Sequence, residues 1–234
     1  MLVQTLKDLD VENLIKNVGV LEGTQHIKCV VPISGGKDSQ SCLKLALQTY
    51  KPDEVLGLFC DTQYEHPLTY QHVEKMEGMY GVKIIHLNDG GVYERIKEYG
   101  RFPSDIARFC TDQLKIRTAK MFYNYLSKAQ ESGFEVWYGM RLGESHQRSE
   151  RYKNKNENDL YEPHTIMINK YPKYLAKQGV MFKLPILKWE EEDVFEFLDG
   201  EENELYSKGF ERVGCFPCLA AGDKYKEKAF SFDE

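Results

Sequence analysis

The amino-acid sequence predicts an α/β fold, namely a doubly wound, mainly parallel five-stranded sheet with a small C-terminal appendage that contains cysteines. Two observations lead to this fold. Five apolar runs rich in β-branched and aromatic residues alternate with segments of helical spacing, a pattern typical of a parallel sheet covered on both faces. The length of 234 residues suits one such domain with a modest addition.

The apolar runs predict the strands, and the segments between them predict the helices. Pro32 lacks an N–H group for the sheet, so we expect pairing of the first strand to stop there. In parallel sheets ligands bind beyond the carboxyl ends of the strands, which directs attention to the loops after Ile33, Cys60 and Met140. The predicted strands are 27–33, 55–60, 82–87, 135–140 and 180–186, and the predicted helices are 39–49, 69–80, 111–127 and 191–198.

Four segments are expected along the chain. Residues 1–26 form an N-terminal helical lead-in, and residues 27–200 form the α/β domain. A polar stretch at about 148–179, rich in Tyr, Lys and Asn, interrupts the alternation and is interpreted as an insertion. Residues 201–234 carry a C-x-x-C sequence.

Composition limits the class of protein. Hydrophobic residues are 41% and charged residues 29%, which is typical of a globular protein and excludes a disordered or fibrous one. No leader pattern and no run of eighteen apolar residues is present, so we expect a cytoplasmic protein with no membrane partner. The net charge of −6 restricts any contact with nucleic acid to a local surface.

The loop after the first predicted strand has the residues of an anion site. Its two glycines let backbone N–H groups approach a phosphate, and the following helix directs its N-terminus toward it. Lys37 supplies a cation, while Asp38 can cap the helix or hold a magnesium ion that arrives with a nucleotide. A plain glycine turn with a polar cap is the structural alternative. The loop reads Ser34-Gly35-Gly36-Lys37-Asp38-Ser39.

This loop departs from both common nucleotide motifs, G-x-x-x-x-G-K-[ST] and G-x-G-x-x-G. SGGKDS instead resembles the PP-loop of the ATP pyrophosphatase superfamily. Three further stretches resemble segments of phosphoadenylylsulfate (PAPS) reductase-like proteins in that superfamily, although Gln63 replaces a usual glycine. They are DTQYEHPLT at 61–69, CTDQLK at 110–115 and GMRLGESHQR at 139–148, followed by PILKW at 185–189 with Asp193 and Val194.

The resemblance implies a PP-loop/HUP-like fold for residues 27–200 and a site for ATP with Mg²⁺. It further implies that Asp61 and Thr62 border the adenosine, and that Arg141 and Arg148 approach the phosphate or sulfate end. Guanidinium groups suit that task because they offer paired donors to phosphate-like oxygens. The structural alternative for Arg141 is an ion pair with Glu144, three residues on.

Three of the six cysteines are candidate ligands for a metal. Cys215 and Cys218 form a C-x-x-C pair, and the fold could bring Cys110 beside them. Three cysteines would hold a [4Fe-4S] cluster with one open iron, which resembles certain tRNA-thiolating and DNA-phosphorothioating relatives. A zinc site with an unidentified fourth ligand, a redox-active pair and an inert structural role are the alternatives. Cys29 and Cys42 are expected in the core.

These features together predict an enzyme. ATP is expected to adenylate an acceptor with release of pyrophosphate, and sulfur then displaces AMP; Lys37, Asp38, Arg141 and Arg148 are the predicted catalytic residues. A PAPS or APS reductase-like sulfonucleotide enzyme is one alternative, although the C-terminal ECGLH segment of such reductases is not found in GDKYKEKAFSFDE. A nucleotide sensor or assembly subunit without catalysis is another.

The predicted partners are a nucleotide, a nucleic acid or sulfur-donor protein, and a second copy of the chain in a homodimer. The insertion interleaves cations with tyrosines, which suits phosphate contacts and base stacking, although acidic residues in the same stretch make a solvated loop an equal alternative. The residues concerned are Arg148, Arg151, Lys153, Lys155, Lys170, Lys173 and Lys177, with Tyr152, Tyr161, Tyr171 and Tyr174.

Overall fold

The computed structural model describes residues 13–24, 26–104 and 106–232. Most of the predicted lead-in at 1–26 lies outside these ranges. Its described part contains a 3₁₀ turn at Val18–Leu21 and one bridge between Ile15 and Leu87 at the edge of the sheet.

The sheet has five strands, all parallel, in the order β3-β2-β1-β4-β5. The chain builds outward from β1 to β3, then crosses to the other side of β1 to add β4 and β5. The strand order therefore reverses between β1 and β4, which opens a crevice at their carboxyl ends. The strands are β1 Cys29–Ile33, β2 Val55–Cys60, β3 Lys83–Leu87, β4 Glu135–Trp137 and β5 Met181–Lys183.

Nine α-helices accompany the sheet in the part of the chain that the structure describes, with short 3₁₀ turns at Pro52–Glu54 and Leu142–Glu144. A π-helix, Thr111–Arg117, leads directly into the fourth of them. The helices are α1 Lys37–Thr49, α2 Pro67–Tyr80, α3 Val92–Tyr99, α4 Thr118–Ala129, α5 His146–Tyr152, α6 Pro163–Ile166, α7 Tyr174–Lys177, α8 Glu191–Leu198 and α9 Asp223–Phe230. None is long and apolar enough to cross a membrane.

Both faces of the sheet are buried, as the doubly wound prediction requires. Successive residues of β1 point to opposite faces, so Val30 packs in one core while Cys29 and Val31 pack in the other. One core includes Phe122 of α4, and the other includes Leu43 of α1. The α/β, parallel-sheet prediction is confirmed, and the site residues at the strand ends rest on a rigid base.

Pairing of β1 does not stop at Pro32, so that prediction is wrong on one side. On the β2 side the register continues through Pro32 and Ile33, which pair with Leu58 and Phe59. On the β4 side it ends at Val30, before the proline. A proline lacks only one donor, and this strand accommodates it because its β4 side is already unpaired there.

The stretch predicted as an insertion contributes to the core. Four of its side chains, Tyr152, Ile166, Tyr171 and Leu175, are buried against β5 and α4 in the first core. The suggestion that all four tyrosines of this stretch stack on nucleic acid is therefore wrong for Tyr152 and Tyr171, because their rings are packed inside the protein.

Candidate nucleotide site

The glycine loop between β1 and α1 has the conformation that its sequence suggests. Gly35 adopts a φ of +76°, and a Cβ atom there would come within 2.5 Å of the Thr69 Cγ2 atom, so only glycine fits. The Ser39 hydroxyl donates to the Gly36 carbonyl at 2.9 Å and accepts from the Ser34 amide at 3.2 Å. The Ser34 hydroxyl accepts from the Gly36 amide at 3.3 Å, so both serines hold the loop closed.

Lys37 opens α1 and is almost fully buried. Its ammonium lies 2.9 Å from a Glu191 carboxylate oxygen and 3.3 Å from one of Asp38. The rings of Phe195 and Tyr206 lie 5.6 Å and 5.3 Å from the same nitrogen. The Lys37 side chain is only 3% exposed, so its ammonium charge needs a negative partner inside the protein. Here the two carboxylates take that role, which a phosphate group could also fill.

Arg141 reaches the same point from the other side of the crevice. The loop after β4 passes directly over the first turn of α1, and a Cβ atom on Gly139 would lie 2.6 Å from the Asp38 carbonyl oxygen. This approach places the Arg141 Nε against the Asp38 carboxylate. Burial alone would lower the pKa of Arg141, but its bond and charge interaction with Asp38 raise it. Asp38 therefore holds both predicted phosphate cations together.

Arg148 lies in α5, which follows this loop, and its side chain is farther out. It pairs with Glu144 one turn away, and its side chain is 39% exposed. The ion pair considered for Arg141 thus belongs to Arg148, because Glu144 accepts only the backbone N–H of Arg141, at 3.0 Å. The structure brings Lys37, Asp38 and Arg141 together and leaves Arg148 at the rim.

The loop after β2 is organised by Glu65, a buried carboxylate. It accepts hydrogen bonds from the Thr62 hydroxyl at 2.7 Å, the Thr62 amide at 3.2 Å and the Tyr70 hydroxyl at 3.3 Å. Asp61 accepts from the same Tyr70 hydroxyl at 2.8 Å. The two residues predicted to border the adenosine are therefore fixed at the carboxyl edge, next to β1. Gln63, which stands where the family has glycine, adopts a φ of +55°.

Cys215 lies against this loop. Its sulfur is 3.4 Å from the Thr62 hydroxyl and donates to Glu65 at 3.6 Å, while the backbones at Glu65 and Cys215 form an antiparallel bridge. Burial raises the pKa of the Cys215 thiol, although the nearby Lys115 ammonium opposes this rise. The C-x-x-C segment is therefore docked beside the candidate adenosine loop.

Lys115 comes to Cys215 from the π-helix. Burial would lower its pKa, but its interactions with Cys215, Glu65 and Cys60 outweigh burial and raise it. The Thr118 hydroxyl, directly after this helix, donates to the Gln113 carbonyl at 3.2 Å. Inserted π turns frequently mark functional positions. The sequence contained Lys115 in the CTDQLK segment, but its approach to Cys215 was not predicted.

The predicted metal site does not assemble in this arrangement. Within 13–24, 26–104 and 106–232, no three His, Cys, Asp or Glu side chains are placed to hold a metal ion. Cys215 faces Glu65 and Thr62, and Cys110 precedes the π-helix. A cluster or a zinc ion at Cys110, Cys215 and Cys218 thus stays a prediction. Cys29 and Cys42 are buried in the core, as expected.

The C-terminal segment covers the glycine loop. The Asn203 side-chain amide donates to the Gly35 carbonyl at 3.2 Å, and the Tyr206 hydroxyl accepts the Lys37 amide at 3.0 Å. Glu201 anchors the start of this segment through an ion pair with Lys44 of α1 at 2.8 Å. Sequence reasoning missed these partners, and Glu191 and Phe195, because no local pattern connects residues about 160 positions apart.

Fold and site together define an α/β nucleotide-loop protein whose ligand crevice lies between β1 and β4. The model of the phosphoadenosine phosphosulfate reductase domain family matches residues 28–221, and the chain belongs to that family. The PP-loop, PAPS reductase-like resemblance seen in the sequence is thereby confirmed.

Curated relatives include two uncharacterized proteins of Methanocaldococcus jannaschii. One is 33% identical over 217 residues, 90% of this chain and 41% of that protein, and the other is 31% identical over 192 residues, 80% and 40% of the two chains. An uncharacterized 37.8 kDa protein of Escherichia phage 186 is 26% identical over 243 residues, 82% of this chain and 67% of its own. The chain thus spans about two fifths of the archaeal relatives' length.

Three solved structures share the fold. PAPS reductase from Candida auris, in a phosphate complex, has a TM-score of 0.53 and 16% identity, covering 92% of this chain and 97% of that one. The U34-tRNA thiolase NcsA from Methanococcus maripaludis, with its [4Fe-4S] cluster, has a TM-score of 0.51 and 18% identity, and the match covers 97% of this chain and 71% of that one. FMN adenylyltransferase from Candida glabrata, with FAD and pyrophosphate, has a TM-score of 0.51 and 14% identity, and the match covers 99% of this chain and 76% of that one. At these identities the likeness shows the fold.

Proposed function

We propose that this chain binds Mg-ATP at the loop from Ser34 to Ser39 and transfers its AMP group to an acceptor, with release of pyrophosphate. The observation that carries the proposal is the convergence of Lys37 and Arg141 on Asp38, at the N-terminus of α1 and directly after two glycines. The two cations come from opposite sides of the crevice. Both are buried, so their charges act in a region of low dielectric constant.

The chemistry this arrangement supports is nucleophilic displacement at the α phosphorus. An acceptor oxygen forms the new P–O bond, and the bond to the bridging oxygen breaks, so that pyrophosphate leaves with the electron pair. Backbone amides and Lys37 compensate the charge that grows on pyrophosphate, and Arg141 can use its remaining guanidinium donors for the transferred phosphate. The protein's contribution is positioning and electrostatic stabilisation.

The test is exchange of labelled pyrophosphate into ATP in the presence of candidate acceptors, with AMP and pyrophosphate as the net products. Lys37→Met is expected to abolish exchange. Lys28→Met is the control, because Lys28 also pairs with a glutamate, Glu54, but lies before β1, at the end of that strand opposite the loop. Equal loss of exchange in the two variants would contradict the proposed role of the loop.

The adenylated acceptor is proposed to receive sulfur in a second step. A sulfide attacks the activated carbon, the C–S bond forms, the C–O bond breaks and AMP leaves with the oxygen. Two facts support this: the Cys215 sulfur lies 3.4 Å from the Thr62 hydroxyl, at the candidate adenosine loop, and a tRNA thiolase shares the fold. The acceptor is proposed to be a nucleic acid or a small molecule.

Metal content decides how that sulfur is held. Protein purified without oxygen is analysed for iron and zinc and by absorption spectroscopy, with Cys215→Ser and Cys60→Ser alongside. Iron or zinc present in the wild type and lost only in Cys215→Ser would support a metal-bound sulfur at Cys110, Cys215 and Cys218. Neither metal in the wild type would leave a role for the thiols themselves.

Two other functions would give different results in these assays. A sulfonucleotide reductase, which the family match favours, would release sulfite from PAPS or APS in the presence of a thiol reductant. A nucleotide sensor would bind ATP and release neither pyrophosphate nor AMP. Sulfite release without pyrophosphate exchange would replace the adenylation proposal by the first of these.

A further inference from the structure

The glycine loop is held from outside by two residues of one short C-terminal turn. The Asn203 amide donates to the Gly35 carbonyl at 3.2 Å, and the Tyr206 hydroxyl accepts the Lys37 amide at 3.0 Å. These two bonds lie on either side of Gly36. A Cβ atom on Gly36 would lie 3.1 Å from the Tyr206 hydroxyl and 3.2 Å from the Val213 carbonyl, so the segment rests directly on the loop.

The loop needs such support because it cannot cap its own helix. The first N–H groups of a helix have no partner within the helix, and a side chain at the N-cap position ordinarily accepts from one of them. The N-cap of α1 is Gly36, which makes no side-chain cap. The Tyr206 oxygen, 169 residues away in the chain, supplies the missing acceptor for Lys37.

The same tyrosine also restricts the Lys37 side chain. Its ring lies 5.3 Å from the Lys37 ammonium and packs edge-on against Phe195, whose ring lies 5.6 Å from that nitrogen. Aromatic faces attract an ammonium group and limit its rotamers. Tyr206 therefore acts on both ends of Lys37, with its hydroxyl on the amide and its ring on the ammonium.

We propose that Tyr206 is a positioning residue of the nucleotide site, which fixes the Gly35-Gly36-Lys37 turn and the Lys37 ammonium in the conformation that binds the ATP phosphates. The amides of Asp38 and Ser39 then remain for the phosphates. This inference rests on the proposed function. Tyr206 is a C-terminal residue that the nucleotide motifs do not contain. With it, the turn Asn203–Tyr206 becomes part of the proposed nucleotide site.

The first test needs no nucleotide. Amide hydrogen exchange is measured on the full chain for peptides covering 34–40, in wild type, Tyr206→Phe and Tyr152→Phe. Tyr206→Phe keeps the ring and removes the acceptor, so we expect faster exchange in this peptide and unchanged exchange in the sheet. Tyr152→Phe is the matched control, because it removes another tyrosine hydroxyl bond, to the Ile166 carbonyl at 3.0 Å, within the first core and not to the loop. Wild-type exchange at 34–40 in Tyr206→Phe would overturn the proposal.

The second test measures Mg-ATP and pyrophosphate binding by calorimetry in the same three proteins. Loss of one hydrogen bond that orders the loop is expected to weaken both ligands about three- to tenfold in Tyr206→Phe. The maximum rate of pyrophosphate exchange should change less than the KM for ATP. A merely structural role would lower thermal stability in both variants and leave affinity equal in the folded proteins, which would refute positioning.

Two further outcomes separate the possible failures. Tighter binding of pyrophosphate by Tyr206→Phe would show that Tyr206 competes with the phosphates for the Lys37 amide, and would overturn the proposal in favour of an inhibitory contact. A wild-type protein that binds neither ligand would refute the proposed ATP function, while the exchange measurement at 34–40 would still decide whether Tyr206 holds the loop.

Discussion

Asp38 explains how two cations can be buried beside each other before a nucleotide arrives. Lys37 and Arg141 would repel one another in the crevice, and each would lose its hydration. The Asp38 carboxylate bonds to both, and Glu191 adds a second negative charge at Lys37. Asp38 therefore positions the cations in this structure, and the predicted role in holding magnesium would require it to release one of them.

Arg141→Lys tests whether the guanidinium geometry matters at that point. The change preserves the charge but removes the fork that can serve Asp38 and a phosphate oxygen together. We expect kcat/KM for pyrophosphate exchange to fall about 10- to 100-fold, the value of a charged hydrogen bond. Arg151→Lys, on the exposed side of α5, is the control and should remain near the wild-type rate. A similar effect of the two substitutions would argue against a role of Arg141 at the reacting phosphate.

His72 makes stability depend on pH. It is buried on α2 and its Nε2 lies 2.8 Å from the Gln40 side-chain oxygen. Burial, with a contribution from Lys75, lowers the pKa of His72 from 6.5 to about 4. The unfolded chain therefore binds a proton that the folded chain does not between these values, so stability falls as the pH drops from 6.5 to 4 and this contribution is complete above 6.5.

The expected loss is roughly 3 kcal/mol over that range. Urea unfolding of His72→Gln at several pH values should give a flatter dependence than the wild type by about this amount. His26→Gln, at an exposed histidine, should keep the wild-type slope, and this comparison separates His72 from the carboxylates that titrate in the same range. Parallel curves for the wild type and His72→Gln would show that His72 is not responsible.

At the scale of the elements, the parts predicted from sequence are those set by local patterns. Five strands and the helix at Glu191–Leu198 follow from apolar runs and helical spacing, because burial on two faces leaves a continuous hydrophobic stretch. The π-helix lies within the helix predicted at 111–127, and its wider turns were not foreseen because helical spacing alone does not distinguish them from α-helical turns. Helices Val92–Tyr99 and Asp223–Phe230 were missed, since both are short and largely exposed.

The candidate site could likewise be predicted only where its residues belong to a local sequence motif. The glycine loop and the Arg141 loop each carry a motif, so sequence indicated both, and the sheet topology brings them together. Tyr206, Asn203 and Glu191 carry no motif, and only the folded chain places them at Lys37. The C-x-x-C spacing indicated that the cysteines are metal ligands, but it did not indicate that Cys215 would lie against Glu65.

Gly35→Ala tests the turn as an element. Alanine at a φ of +76° is strained, and its Cβ would also meet Thr69 at 2.5 Å. We expect about 1 kcal/mol of loss from the backbone and roughly 1 to 3 kcal/mol from overpacking, together with weaker Mg-ATP binding. Gly81→Ala, at a φ of +63° with open space around it, should show the backbone loss alone and normal binding. Urea unfolding measures the free energy of unfolding of each variant, and calorimetry measures its Mg-ATP binding. Equal losses of stability in the two variants would contradict the close contact at Gly35.

At the scale of the whole molecule, one ligand site joins distant parts of one domain. Lys37 follows β1, Arg141 follows β4, Glu191 opens α8, and Tyr206 belongs to the C-terminal segment. The strands share the two cores on the sheet, while the C-terminal segment has a cluster of its own around Leu205, Phe210 and Ala229. A ligand that holds these parts together is therefore expected to oppose global unfolding. Local opening of a single loop would not release it.

Mg-ATP should therefore raise the melting temperature of the whole chain. At a concentration 100 times its Kd, a ligand adds about 2.7 kcal/mol to the free energy of unfolding, which corresponds to roughly 5 to 10 °C for a chain of this size. The α,β-methylene analogue of ATP avoids turnover during heating and should give a similar shift. Lys37→Met should lose most of it at the same ligand concentration, whereas Lys28→Met should keep it. A shift confined to one of two calorimetric transitions would instead show that the C-terminal segment unfolds separately from the sheet.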